Sequence, residues 1–287
     1  MSSNLNTARS LVDAKQDSLK PFPKIVLDIM SVLDDENANA NFLVDHLHRD
    51  VVLSGRVLGL ANSAASRLPG QRAVTEIHSA VAMLGFSRIR TLITTLSVCD
   101  TFALTAPSAM TEKFWGHSVD VGTAAKTIAE HAGLKPELSY VAGLLHDIGV
   151  HWIATNQPKE FALINASLAA PEHHLMDMER EFLGTDHTEI GAALCEFWGL
   201  PAEIRNPVIG HHNPDTLPAS AYVMAIHLAE MACNALNLGK RPRNIVTHVS
   251  EQALPQLGLE WSQIPDLLGE IEARARFMRA FTGIAPS

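Results

Sequence analysis

A chain of 287 residues with 47% hydrophobic and 18% charged residues is long enough for one large domain or two modest ones, and this composition excludes global disorder. The formal charge of −9 at pH 7, without a Lys/Arg patch interleaved with aromatic residues, argues against direct nucleic-acid binding. The apolar runs are too short for a membrane span, the N-terminus lacks the core of a signal peptide, and the three cysteines show no paired spacing, so we expect a cytoplasmic protein without a membrane partner.

The first half of the chain shows the periodicity of helices and no alternation typical of strands. Residues 1 to about 20 are polar and are interpreted as an arm or a weak first helix. Pro21 and Pro23 fix the entry to the next helix, Asp50 is the predicted N-cap of a later one, and Gly85 separates the last two. Apolar residues at helical spacing mark these helices: Ile25, Val26, Ile29, Met30 and Leu33, then Phe42, Leu43 and Leu47, then Leu53, Val57, Leu58 and Leu60, then Ile77 to Leu84 and Ile89 to Cys99.

The second half of the chain follows a short break at residues 105–109 and is also helical. Pro136 and Pro201 occupy first-turn positions of two of its helices, and Thr185-Asp186 is a predicted cap of another. The predicted helices span about 111–131, 136–156, 158–169, 186–198, 201–211, 219–238 and 265–281. The sequence therefore predicts an all-α protein, with an N-terminal helical bundle of residues 1–108 packed on a second bundle of residues 109–287.

The last predicted helix carries an apolar stripe made of Leu267, Leu268, Ile271 and Met278. Such a stripe fits either an exposed dimer interface or a helix docked on its own domain. We predict docking within the chain, and the oligomeric state stays open.

The stretch from Tyr140 to Gly149 combines an apolar helical pattern with an adjacent His146 and Asp147. An unpaired carboxylate in an apolar environment is costly, so Asp147 needs either hydrogen-bonding neighbours or a cation. Single histidines in a core or at a helix end are common, so each one alone has an ordinary structural explanation. Imidazoles with a carboxylate suit Fe, Mn, Zn or Ni, and the lack of thiolates argues against a structural zinc finger. The histidines that tertiary folding could add to this pair are His117, His187, His211 and His212.

Several motifs in the first half resemble a known family. They read Leu19-Lys-Pro-Phe-Pro23, His48-Arg-Asp50-Val-Val-Leu-Ser-Gly-Arg-Val-Leu58, Ala61-Asn62-Ser63-Ala64 and Ile77-His-Ser-Ala-Val-Ala-Met-Leu84-Gly85. This series resembles the HDOD domain of bacterial signalling proteins, over roughly residues 15–215. The resemblance implies an HD-domain-like helical fold with an added N-terminal bundle, and a regulatory role without established catalysis. It also implies a place in two-component signal transduction, with a histidine kinase or a response regulator as partner. Asn62 is predicted to be structural, capping or bridging helices through its side-chain amide.

The same resemblance implies a comparison with HD-GYP phosphodiesterases, which cleave cyclic dinucleotides. In that family a first His, an His-Asp pair, a later His, a tandem His-His and a final Asp hold two or three metals. Three departures from the family pattern stand out: Lys113 replaces a metal-bridging Glu, Val150 replaces a Lys, and Asn-Pro-Asp-Thr-Leu-Pro follows His212 in place of Gly-Tyr-Pro. The positions that match the ligands are His117, His146, Asp147, His187, His211 and His212, with Glu230 in the place of the final Asp.

These residues predict a signalling module that has no catalytic residue and retains a metal or ligand pocket. We expect His146 and Asp147 to bind one metal together with His117, and His187, His211 and His212 to complete or adjoin a second position. The alternative is a metal-dependent phosphohydrolase acting on a nucleotide or a cyclic dinucleotide. A nucleotide is thus a candidate ligand. Because the chain lacks the alternating strands and helices of a receiver domain, we expect any phosphoacceptor to lie on a partner.

Overall fold

The computed structural model of the chain describes residues 2–33, 36–63, 66, 72–102, 108–170, 172–238 and 250–282. All regular structure in these ranges is helical, without a strand, which confirms the predicted all-α class. The predicted break at residues 105–109 falls largely outside them. Within the described ranges, no single helix is both long and apolar enough to cross a membrane.

The chain folds into two compact units, one made of Phe22–Thr101 and the other of Met1–Pro21 with Phe102–Ser287. This division differs from the predicted boundary at residue 108, because the first 21 residues belong to the C-terminal unit. The N-terminal arm is a helix, α1 (Ser2–Asp13), whose Ala8 and Val12 are fully buried or nearly so. An amphipathic arm of this kind gains stability by burying its apolar face on the larger unit.

The unit Phe22–Thr101 is a helical bundle in which local sequence signals set the helix ends. The Asp50 carboxylate accepts hydrogen bonds from the backbone N–H groups of Val52 and Leu53, so the predicted N-cap is confirmed. Gly85 has φ +84°, a backbone conformation that favours glycine, and it separates two helices as predicted. The helices of this unit are α2 (Lys24–Ser31), α3 (Glu36–Arg49), α4 (Val51–Ala61), α5 (Ile77–Leu84) and α6 (Phe86–Phe102), the last of which reaches the boundary between the units.

Asn62 joins the end of α4 to the segment before α5. Its amide nitrogen donates to the carbonyl oxygens of Leu58 (2.8 Å) and Val74 (2.7 Å), and its side-chain oxygen accepts from the N–H of Val74 (2.8 Å). The predicted bridging geometry of this side chain is therefore confirmed.

The C-terminal unit carries the candidate ligands. Its central helix is α7 (Ser108–Ala132), against which α8 (Pro136–Leu145), α14 (Ala221–Ala235) and α16 (Ile264–Thr282) pack. The helices of this unit are α1 (Ser2–Asp13), α7 (Ser108–Ala132), α8 (Pro136–Leu145), α9 (Ile148–Asn156), α10 (Pro158–Ser167), α11 (Leu175–Leu183), α12 (His187–Phe197), α13 (Ala202–Gly210), α14 (Ala221–Ala235), α15 (Ala253–Leu257) and α16 (Ile264–Thr282).

The single helix predicted for residues 136–156 is wrong in its middle, because α8 ends at Leu145 and α9 begins at Ile148. Just after the break, α9 packs closely against α12. A Cβ atom on Gly149 would lie 1.9 Å from the carbonyl oxygen of His187, so the backbone of α9 approaches that of α12 more closely than a side chain allows. The break places His146 and Asp147 between two helix ends.

The apolar stripe of α16 faces the interior of its own unit. Leu267, Ile271 and Met278 are buried, whereas Leu268 is only partly buried. Arg279 forms an ion pair with the fully buried Asp120 of α7. The predicted docking of this helix within the chain is confirmed.

Candidate metal centre

The seven predicted site residues lie on helices that come together in the C-terminal unit. Most of them occupy helix ends, where side chains can project into the same space. His117 lies within α7, His146 caps the C-terminus of α8, Asp147 precedes α9, His187 is the first residue of α12, His211 and His212 follow α13, and Glu230 lies within α14.

One group of ligand atoms consists of His117, His146 and Glu230. The Nε2 atom of His117 lies 2.9 Å from Oε2 of Glu230 and 3.3 Å from Nε2 of His146, and the latter lies 3.5 Å from the same carboxylate oxygen. Both histidines are buried. The glutamate in the place of an aspartate therefore reaches the histidines from α14.

A second group consists of Asp147, His187, His211 and His212. Oδ1 of Asp147 lies 3.6 Å from Nε2 of His187 and 3.6 Å from Nε2 of His211. The Nε2 atoms of His212 and His187 are 3.1 Å apart. In each group the ligand atoms all lie within 4.8 Å of one another, a spacing that one ion can bridge.

Asp147 lies between the two groups. While Oδ1 faces the second group, Oδ2 lies 3.4 Å from Nε2 of His146 in the first. Asp147 thus adjoins the second group as well as His146, with which it was expected to bind a metal. A carboxylate between two sets of imidazoles can contribute one oxygen to each.

In several of these histidines Nδ1 points away from the centre and donates a hydrogen bond. This leaves Nε2, which faces the centre, as the acceptor. Nδ1 of His146 donates to the carbonyl oxygen of Gly143 (2.7 Å), and Nδ1 of His211 donates to that of Val208 (2.9 Å). Because a carbonyl oxygen only accepts, both Nδ1 atoms carry the proton. Nδ1 of His187 is likewise a donor, as described below. In the neutral form each of these rings turns the lone pair of Nε2 toward Asp147 and its neighbours.

The resulting set of atoms is rich in acceptors. Three imidazole lone pairs converge with the carboxylates of Asp147 and Glu230, all with little access to solvent. Lone pairs and anionic oxygens at 3–4 Å repel each other unless a proton or a cation lies between them. Neutral imidazole and carboxylate are the ligands of Fe, Mn, Zn and Ni, so the residues fit a divalent transition metal.

The same crowding shifts the pKa values of the histidines in opposite directions. Burial disfavours charge on His187, but the carboxylates of Glu179 and Asp147 outweigh it and raise the pKa of His187 to about 9. Burial, together with the neighbouring imidazoles His211 and His187, holds the pKa of His212 well below its ordinary value. The centre therefore attracts positive charge and limits how many rings can carry it as protons.

Glu179 on α11 also belongs to this centre, although it is not among the site residues predicted from the sequence. Its Oε2 atom accepts from both the backbone N–H (3.0 Å) and Nδ1 (2.6 Å) of His187, and its side chain is almost fully buried. The signal that could have identified it is a charge inside an amphipathic pattern, since Leu175, Met178 and Phe182 share the helix face on which Glu179 lies.

Two of the three departures from the HD-GYP pattern, Val150 and the segment after His212, lie in the described part of the chain. Val150 is a partly buried residue of α9 and brings no cation. The side chain of Lys113 and residues 239–249 lie outside the described part of the chain.

The chain belongs to the HDOD domain family, whose model matches residues 19–214. It is similar to the crystal structure of an HDOD domain protein of unknown function from Geobacter sulfurreducens, with 29% identity and a TM-score of 0.77 over 94% of this chain and 98% of that one. It is also similar to a crystal structure from Shewanella amazonensis SB2B, provisionally assigned as a phosphohydrolase, with 27% identity and a TM-score of 0.71 over 95% and 98% of the two chains.

A further relative is ribonuclease Y from Thermus thermophilus, which is 28% identical over 146 residues, or 50% of this chain. The aligned segment makes up 20% of that protein and 40% of a second curated relative. The chain therefore spans less than half the length of the curated relatives it matches.

Proposed function

We propose that this protein is a regulatory module of the HDOD type whose C-terminal unit binds one or two divalent transition metal ions and performs no hydrolysis. One observation carries the proposal: three imidazole lone pairs and the carboxylates of Asp147 and Glu230 converge in a buried space where a cation relieves their repulsion.

The residues around the ligands support a role without catalysis. The groups that surround metal ligands matter for reactivity as much as the ligands themselves. Val150 stands where HD-GYP enzymes carry a Lys that faces the phosphate, and the segment after His212 lacks their Gly-Tyr-Pro motif. In the regulatory reading, a bound ion stabilises the C-terminal unit, and a histidine kinase or a response regulator is the partner that senses this state.

The second candidate is a metal-dependent phosphohydrolase that acts on a nucleotide, a cyclic dinucleotide or RNA. It is favoured by the similarity to ribonuclease Y and to the provisionally assigned phosphohydrolase. A metal held by these ligands supplies Lewis-acid polarisation of a phosphate oxygen. The residues of this chain contribute the ligands, and hydrolysis would also require a water molecule to reach the metal as the nucleophile.

Metal analysis paired with a hydrolysis screen separates the two candidates. Protein purified without chelator is analysed for Fe, Mn, Zn and Ni, then loaded with each metal and incubated with nucleotides, cyclic dinucleotides and single-stranded RNA. The regulatory proposal predicts bound metal without turnover. Turnover that disappears in Asp147→Ala establishes the phosphohydrolase, and protein that binds none of the four metals after soaking contradicts both candidates.

A further inference from the structure

The histidines of the centre differ in the group that accepts a hydrogen bond from Nδ1, the ring nitrogen that points away from the centre. His146 and His211 each follow the last residue of a helix, and each donates from Nδ1 to a carbonyl oxygen three residues earlier in the chain. The last turn of a helix has carbonyl oxygens without a partner in the helix, so a residue there finds an acceptor in its own backbone. These two rings are therefore oriented by local structure alone.

His187 lies at the opposite kind of helix end. It is the first residue of α12, where the free backbone groups are N–H donors rather than carbonyl acceptors. Its own helix therefore offers no acceptor for Nδ1–H. An acceptor must therefore come from another element. The backbone N–H of His187 also needs an acceptor, because the N-cap residue Asp186 accepts from the next two N–H groups, those of Thr188 and Glu189.

Glu179 on α11 meets both requirements with one atom. Oε2 accepts from the backbone N–H and from Nδ1 of His187, at 3.0 Å and 2.6 Å. The neighbouring residue Arg180 forms an ion pair with Asp186 (2.6 Å), so two consecutive residues of α11 hold the start of α12. A charge-assisted hydrogen bond at 2.6 Å leaves the imidazole little freedom to rotate or to move its Nδ1 proton.

We propose that Glu179 is the positioning residue of the second ligand group, and that it keeps Nε2 of His187 directed at the metal. This inference rests on the proposed metal-binding function. Without Glu179, Nδ1–H loses its acceptor and the ring can place its proton on Nε2 instead, where the proton competes with the ion. His146 and His211 keep their backbone carbonyls, so the loss is confined to the group that contains His187.

A metal titration tests whether the loss of affinity is confined to the ligand group that contains His187. Zinc binding to the metal-free protein is measured by competition with a chromophoric chelator for the parent, Glu179→Met, Glu179→Gln and Glu181→Gln. Glu181 is an exposed residue of the same helix and serves as the matched control. We expect Glu179→Met to weaken one zinc equivalent about 10–100-fold, while the equivalent held by His117, His146 and Glu230 is unchanged. Glu179→Gln retains an acceptor oxygen and should lose less, and Glu181→Gln should match the parent.

A double-mutant cycle separates positioning from a general effect on the fold. In a His187→Ala background, Glu179→Met should cause no further loss of zinc affinity, because the ring on which it acts is gone. An equal loss in the two backgrounds, or an equal weakening of both zinc equivalents, overturns the inference.

A second measurement does not depend on metal. In chelator-treated protein with 15N-labelled histidine, the Nδ1–H of His187 should give a downfield imidazole proton signal that exchanges slowly with water. His187→Ala assigns it by its loss. The signal should also vanish in Glu179→Met and persist in Glu181→Gln, even if the parent binds no zinc, in which case the proposed function fails and the positioning by Glu179 stands. A signal that is unchanged in Glu179→Met overturns the inference.

Discussion

Asn62 shows how one side chain can replace regular structure. It makes three hydrogen bonds of 2.7–2.8 Å to the end of α4 and to Val74. We expect Asn62→Ala to lower the free energy of unfolding by about 1–3 kcal/mol, since it leaves backbone groups of Val74 without these partners. Urea denaturation measures the difference. Asn62→Asp keeps the acceptor but loses the donor and should fall between the two, whereas an Asn62→Ala variant as stable as the parent contradicts this role.

Two glycines with opposite surroundings give a matched pair of variants. At Gly149 a Cβ atom would meet the carbonyl oxygen of His187, whereas at Gly59 in α4 nothing lies within 4 Å. Gly149→Ala should destabilise the protein by about 1–3 kcal/mol because α9 must move away from α12. Gly59→Ala should stabilise it by about 0.5–1 kcal/mol, because alanine has the higher helix propensity. Thermal or urea unfolding of both variants checks the signs, and a neutral Gly149→Ala disproves the close contact.

Elements whose ends carry local signals can be predicted from the sequence. The caps at Asp50 and Asp186, the stop at Gly85 and the docked face of α16 all follow from neighbouring residues. The break between α8 and α9 does not, since it falls within a continuous apolar helical pattern, and the close approach of Gly149 to His187 beside it joins residues distant in sequence.

The candidate centre shows the same limit. The ligand types come from motif spacing and a family resemblance, but the division into two groups depends on how helices pack in three dimensions. The contribution of α11 is likewise a tertiary effect, since Glu179 and His187 lie on different helices. The sequence thus predicts which residues are candidate ligands, but it does not predict which of them contact one another.

The docking of α16 depends on an ion pair as well as on its apolar stripe. Arg279 Nε lies 2.8 Å from Oδ1 of Asp120, which is fully buried. Arg279→Met should lower the free energy of unfolding at pH 7.5 by about 3–5 kcal/mol, because it leaves a buried carboxylate without its counter-charge. Arg276→Met, at an exposed position of the same helix, should change it by less than about 0.5 kcal/mol.

The effect of Arg279→Met should also depend on pH. Burial raises the pKa of Asp120 above its ordinary value, and Arg279 opposes this rise. In the variant the folded state therefore binds the proton of Asp120 more tightly than the unfolded state does, so the variant recovers stability as the pH falls toward the ordinary aspartate range. The difference from the parent should be smaller at pH 5 than at pH 7.5, in urea titrations at both values. A difference that grows toward pH 5 contradicts the buried ion pair.

At the scale of the whole molecule, the C-terminal unit draws its stability from elements that are far apart in the chain. The N-terminal helix α1 packs on α12, the helix that begins with His187, and Arg9 forms a bidentate ion pair with Glu196. The ligands themselves come from α7, α14 and the ends of α8, α9, α12 and α13. Ions held by the two ligand groups would therefore link the helices that supply the ligands to one another.

Metal binding should consequently stabilise the C-terminal unit. An ion that binds only the folded state, at a free concentration 100 times its Kd, adds about 2.7 kcal/mol per site, which corresponds to a rise in Tm of about 5–10 °C for a domain of this size. Differential scanning calorimetry at pH 7.5 with zinc or manganese, and again after chelator, measures the gain and its reversal. Because the imidazoles must be deprotonated to bind and the pKa of His187 is raised to about 9, protons compete with the ion already at pH 7.5, and the gain should shrink further as the pH falls. A pocket held together by hydrogen bonds alone would also lose stability in acid, but its Tm at pH 7.5 would not respond to metal or to chelator. A Tm that ignores both reagents therefore excludes the metal centre.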